Sequence, residues 1–133
     1  MDTIQLQRSN APMLSFKGLK LGEVAEVPSP DKSRRWYTLG LYRLEGDTRF
    51  VVSIRYWSSF ENEPDETIAE VFEDQDSLVE FLTTQFDPME FVQGFPDTPK
   101  FKTRQEALER RINADFDSRV GLLFARSGIT EVV

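Results

Sequence analysis

Twelve carboxylates fall between Tyr56 and Pro99, a stretch without a single Lys or Arg: Glu61, Glu63, Asp65, Glu66, Glu70, Glu73, Asp74, Asp76, Glu80, Asp87, Glu90 and Asp97. Carboxylates at that density suit three kinds of chemistry: cation ligation, acid–base hydrolysis by a pair, and electrostatic recognition of a basic partner. Spacing tests the first. Asp74 and Asp76 match the opening of a calcium loop, but its sixth position needs Gly and its twelfth Glu, where this chain has Val79 and Gln85. Asp74 and Asp76 read instead as helix-capping residues, and no metal is expected. Paired hydrolytic carboxylates must converge with their pKa values split by environment. Asp115 and Asp117 stand about 200° apart around a helix, and Asp115 is placed to pair with Arg119.

The remaining chemistries fail on residue type. With no Cys and no His, thiolate nucleophiles, zinc–thiolate sites, disulfides and imidazole bases are all absent. None of the seven glycines belongs to a phosphate-cradling loop, a dinucleotide fingerprint or a nucleophile elbow. No cofactor is expected, and the chain reads as non-catalytic.

Recognition is what remains. Net charge is −7, yet the flanks outside Tyr56–Pro99 carry sixteen basic residues against eleven acids, so the chain is polarised along its length. The expectation is a binding or regulatory protein that takes a basic surface on a protein partner. Its contact residues are Glu61, Glu63, Asp65, Glu66, Glu70, Glu73 and Asp74, which steer encounter, with Trp36, Tyr42 and Trp57 supplying contact energy. Against this stands a plain alternative, a solvated acidic face that keeps the protein soluble. Two other functions compete: an acidic mimic of nucleic acid that inhibits a nuclease or DNA-binding protein, and a carboxylate-dependent hydrolase or small-ligand-binding protein. Two converging acids in a deep pocket would favour the hydrolase; a filled core with acids only at its rim would favour recognition. Trp36, Tyr42 and Trp57 alternate with Arg34, Arg49 and Arg55, a combination that binds single-stranded nucleic acid in other folds. The acidic charge opposes a phosphate backbone, so no direct nucleic-acid contact is expected. The same aromatic face would serve a homo-oligomer or a second small core.

The elements that position these residues are legible from periodicity. Residues 1–11 are polar and patternless and read as a flexible tail, leaving 12–133 as one domain. Met13–Lys17 alternates, Leu19–Val27 is extended with Gly22 as a kink or bulge, and Pro28–Ser33 is a loop. Trp36–Leu44 and Arg49–Trp57 form a β-hairpin about Glu45-Gly46-Asp47. A two-residue turn sets Leu41 opposite Val52 and puts Tyr37, Leu39, Leu41, Phe50, Val52, Ile54 and Tyr56 on one core face. A three-residue turn would instead bring Trp36 and Tyr42 to that face. The first register also keeps Arg43 from facing Arg49.

Thr67–Phe72 continues the meander. Leu78, Phe81, Leu82 and Phe86 then follow helical spacing, with Ser77 and Glu80 as a capping box. Asp87-Pro88-Met89-Glu90 opens a short helix ending at Gly94, and Phe95–Phe101 is a proline-stiffened connector. Thr103–Glu106 caps the longest helix, which runs to about Arg126 on a stripe of Leu108, Ile112, Phe116, Val120, Leu123 and Phe124 and stops at Gly128. The predicted fold is α+β: a four- to five-stranded antiparallel meander sheet with C-terminal helices packed on one face. With no leader-like start and no apolar run of about 20 residues, neither secretion nor a membrane span is expected, and the protein is placed in the cytoplasm.

Overall fold

The computed structural model describes residues 2–29, 34–46, 48–93 and 99–129. Strands β1 (Asp2–Leu6), β2 (Leu14–Val24), β3 (Arg35–Leu44), β4 (Phe50–Ser58) and β5 (Glu66–Phe72) form one antiparallel sheet in sequential order. Helix α1 (Gln75–Glu80) runs into a π-helical turn (Phe81–Gln85), and α2 (Pro99–Ser127) packs on β2 and β3. The α+β meander expected from periodicity is the observed fold.

The central hairpin has the register that keeps the two arginines apart. Leu41 faces Val52, Leu39 faces Ile54, Tyr37 faces Tyr56, and Arg43 faces Phe50. Tyr37, Leu39, Leu41, Val52, Ile54 and Tyr56 are accordingly almost wholly buried, and Leu108, Ile112, Phe116, Val120 and Leu123 of α2 close over them. Rings interlock at the centre, with Tyr37 lying 5.1 Å from Phe116 and 5.2 Å from Tyr56 between centroids. Gly128, at φ +72°, ends α2 in a backbone conformation open to glycine.

Several local expectations are corrected. Asp2–Leu6 is not part of a tail but a strand, because Ile4 and Leu6 sit half-buried between exposed Thr3 and Gln5 and pair with Phe16 and Leu14. The two early extended segments are one strand, β2, whose register slips between Lys20 and Gly22. There Gly22 admits α2, since a Cβ would lie 2.4 Å from Ser127 Oγ and 3.1 Å from its backbone nitrogen. The N-cap of α1 is Asp74, which accepts from the Ser77 amide at 2.8 Å, one turn ahead of the expected Ser77–Glu80 box. Asp87–Glu90 makes only a turn, with Asp87 accepting from the Met89 amide at 2.9 Å. Helix α2 starts at Pro99, ahead of the expected cap, since proline suits a first turn whose amides have no intrahelical acceptor. Residues 30–33 of the expected Pro28–Ser33 loop, Asp47, and Gly94 with most of the connector lie outside the described residues.

The sheet is curled. Leu6 pairs with β2, yet three residues later the Ser9 amide donates to Thr67 O of β5 at 2.8 Å, and the Thr67 amide returns to Ser9 Oγ at 2.8 Å. Three residues reach about 11 Å at most, whereas four strand spacings laid flat span roughly 19 Å. The edges are therefore drawn together, with α2 on the convex face and the β1 end closing over the concave one.

Candidate functional site

Three places on this scaffold gather functional side chains: a buried carboxylate, a cavity beside it, and the concave face of the sheet.

The buried carboxylate is Glu63. It sits in the β4–β5 loop, is 6% exposed, and accepts four hydrogen bonds on its two oxygens. Oε1 takes Arg35 Nε at 2.8 Å and the Tyr56 hydroxyl; Oε2 takes Arg35 Nη2 at 3.0 Å and the Gln93 amide at 2.9 Å. Those donors match the roughly four lone-pair directions of an ionised carboxylate. Burial by itself pushes such a group up, but Arg35, Tyr56, the Gln93 amide and Ser58 together hold its pKa down at about 2. The Tyr56 hydroxyl moves the opposite way, raised by its burial and by the Glu63 it donates to. Glu63 thus joins β3, β4, their following loop and the turn after α1. It is a structural clamp and is unavailable to a partner, so the expectation that it forms part of a contact surface is corrected.

Beside this clamp a cavity of about 200 Å³ opens between the start of β3 and the middle of α2. Tyr37, Tyr56, Ile112 and Pro28 give it apolar walls, Trp36 borders it at the start of β3, and Arg35, Arg111 and Asp115 supply its charges. Most of its polar groups are engaged elsewhere: Tyr37 donates to Pro88 O at 2.6 Å, and Asp115 accepts from Arg119 Nε at 3.1 Å. Burial drives the Tyr37 hydroxyl well above the usual phenol range, so it stays protonated. Among the described residues, Asp115 is the cavity's only carboxylate. The pair of converging acids that hydrolysis requires is missing from it, and among the described residues no metal-binding cluster forms.

The concave face carries Trp36, Tyr42 and Trp57, as the hairpin register requires. Trp36 and Trp57 are cross-strand partners with rings stacked at 6.1 Å and an interplanar angle of 6°. Trp57 Nε1 donates to Thr38 Oγ1 at 2.9 Å, and the Arg55 guanidinium lies 3.7 Å over the Trp57 ring. Tyr42 stands apart, edge-on to Phe16 at 5.8 Å. Phe16, Tyr42 and the wholly buried Val51 and Ala69 make a second small core under the closing β1 end.

The acids and the aromatics do not meet on one surface. Glu66 and Glu70 face Tyr56 and Val52 across the β4–β5 pair and therefore project on the convex side. Trp36, Tyr42 and Trp57 project on the concave side. Glu73 and Asp74 occupy the exposed corner between β5 and α1, with Asp74 engaged as a cap. Glu61 is exposed, while Asp65 accepts from the Ser58 amide at 3.0 Å and lies 3.9 Å from Arg55. Sequence reasoning also passed over Arg119. The expected i,i+4 pair with Asp115 forms, but Arg119 is 8% exposed and its Nη1 donates to Tyr37 O at 2.7 Å, fixing α2 to β3. Its place among Phe116, Val120 and Leu123, beside the apolar stripe, was the available signal.

Among the described residues, no helix is long and apolar enough to cross a membrane. No protein-family model, curated protein or solved structure matches the chain.

Proposed function

We propose that this chain is a non-catalytic binding protein of the cytoplasm, whose β5–α1 flank recognises a basic surface on a protein partner. One observation carries the reading. Once Glu63 is set aside, Glu61, Glu66, Glu70, Glu73, Asp74, Asp76 and Glu80 lie on or near β5 and α1, in a segment without any Lys or Arg, and all but the half-buried Glu66 are exposed. Such a flank raises the encounter rate with a cationic surface and disfavours acidic competitors. The non-catalytic part rests on chemistry: among the described residues, the one buried carboxylate is saturated by four donors, and the cavity beside it offers a single acid. Trp36, Tyr42 and Trp57, on the other face, fall outside this contact surface.

The test is affinity capture with the full chain as bait, next to a Glu66→Gln, Glu70→Gln, Glu73→Gln variant. The wild type should retain a basic partner that the variant loses, and raising salt from about 50 to 200 mM should weaken capture steadily. Capture of the same partners by both proteins, or retention unaffected by salt, would remove the electrostatic reading.

A further inference from the structure

The cavity between β3 and α2 has a chemical character opposite to that of the acidic flank. Its walls are the rings of Tyr37 and Tyr56, a proline and an isoleucine, with Trp36 at its border, and its volume of about 200 Å³ lies below the roughly 300–1,000 Å³ of pockets that take drug-sized molecules. Only a molecule of one ring, or two fused rings, fits. The polar groups on the wall are committed to neighbours. Arg35 is held by both oxygens of Glu63 and reaches Gln93 O at 3.4 Å, Tyr56 donates to Glu63, Tyr37 to Pro88 O, and Asp115 answers Arg119. Two groups are exceptions: Trp36 Nε1, buried without an acceptor among the described residues, and Arg111. Arg111 lies on the exposed side of α2, one residue before Ile112 of the cavity wall and one turn before Asp115, and among the described residues it has no ion-pair or hydrogen-bond partner.

Guanidinium binds carboxylate through two parallel hydrogen bonds, and such a pair gains strength where an apolar wall excludes water from one side. Each neighbouring charge of the wall already has a counter-charge, Glu63 for Arg35 and Arg119 for Asp115. The uncompensated charge at the mouth is therefore positive, although the protein as a whole is acidic. We propose that this cavity binds a small aromatic carboxylate, with the ring among Pro28, Tyr37, Tyr56 and Ile112 and the carboxylate on Arg111. The site is independent of the acidic flank: neither its residues nor its charge preference are shared.

Benzoate and indole-3-acetate, with benzamide as the neutral counterpart of benzoate, are titrated into the isotopically labelled full chain and followed by two-dimensional NMR. The acids should give saturable shifts centred on Trp36, Tyr37, Arg111 and Ile112, with benzoate binding about tenfold tighter than benzamide. Arg111→Met keeps most of the aliphatic stem on an exposed position and so should fold as the wild type does; in it, benzoate and benzamide should bind alike. No saturable shift at about 10 mM acid, equal affinity of benzoate and benzamide for the wild type, or an unchanged preference in Arg111→Met would each overturn the proposal. A Glu66→Gln, Glu70→Gln, Glu73→Gln protein should bind benzoate as the wild type does; loss of binding there would also overturn it.

Discussion

Glu61, Glu63 and Asp65 alternate along five residues of one loop, yet they meet opposite fates. Glu61 stands in water; Asp65 is exposed and takes one backbone amide; Glu63 is driven inside and takes four donors. The difference lies in what each can reach. From the β4–β5 loop only Glu63 is directed at Arg35 and Tyr56, and only there is the desolvation of a carboxylate answered by a full set of hydrogen bonds. A run of like charges is therefore no guide to a field. Glu63 adds nothing to the acidic flank, because Arg35 cancels it inside the protein, while Glu66, Glu70 and Glu73 count toward the flank.

Removing the inward carboxylate should have the largest effect. Glu63→Ala leaves the Arg35 guanidinium, the Tyr56 hydroxyl and the Gln93 amide without their acceptor, a loss of about 3–5 kcal/mol that thermal unfolding would register as a fall of about 10 °C or more. Glu61→Ala, two residues away, should stay within about 0.5 kcal/mol. Equal melting temperatures for the two variants would mean that Glu63 is not a clamp. Arg35→Met combined with Glu63→Leu should recover part of the loss, since an apolar pair needs no counter-charge.

Acid probes the same clamp without mutation. The folded pKa of Glu63, about 2, lies below its ordinary 4.5, so the unfolded chain binds the proton more tightly than the folded one. Its contribution is complete above about pH 4.5 and is lost as pH falls toward 2, a change on the order of 3 kcal/mol. Urea unfolding of the wild type should show that decline. In Glu63→Gln the decline over this window should shrink by a comparable amount; an identical acid profile would contradict the assignment.

Arg119 tests whether an inward charge of the other sign behaves alike. Arg119→Met retains the packing of the stem but strips Tyr37 O of a donor inside the core, at a cost of about 1–3 kcal/mol. Asp115→Asn should cost less, because Asp115 is 47% exposed and Arg119 keeps its bond to the β3 carbonyl. A larger loss from Asp115→Asn than from Arg119→Met would reverse the reading that the carbonyl bond, not the ion pair, holds α2.

What the sequence revealed and what it concealed divide along the same line. The hairpin register was legible because one slip would have buried Trp36 and Tyr42 and set two arginines face to face. The stripe from Leu108 to Phe124 was legible because its large apolar residues recur at helical spacing. Both are local patterns. Glu63 with Arg35 is separated by 28 residues and Arg119 with Tyr37 by 82, and nothing in the periodicity of either partner marks its direction. Strand β1 was missed for a related reason: Thr3-Ile4-Gln5-Leu6 alternates, but too briefly, and its burial comes from the β2 register and the Ser9–Thr67 bridge. The opposite placement of acids and aromatics was implicit in the meander, but only β5's own register, Glu66 against Tyr56, decided the side.

The smallest expected effect separates stability from recognition. Glu66 and Glu70 flank Ile68 on the convex side of β5, and Glu73 follows at the corner; among the described residues none has a hydrogen-bond partner that its loss would strand. Neutralising all three should therefore move the unfolding free energy by no more than about 0.5 kcal/mol per site, and the direction should be toward greater stability, since it relieves repulsion among like charges. If capture of a basic partner disappears from a protein that melts no lower than the wild type, the lost interaction belongs to the charges themselves. A triple variant that melts several degrees lower would instead place Glu66, Glu70 or Glu73 in the same class as Glu63, and the distinction between inward and outward carboxylates would fail at its exposed end.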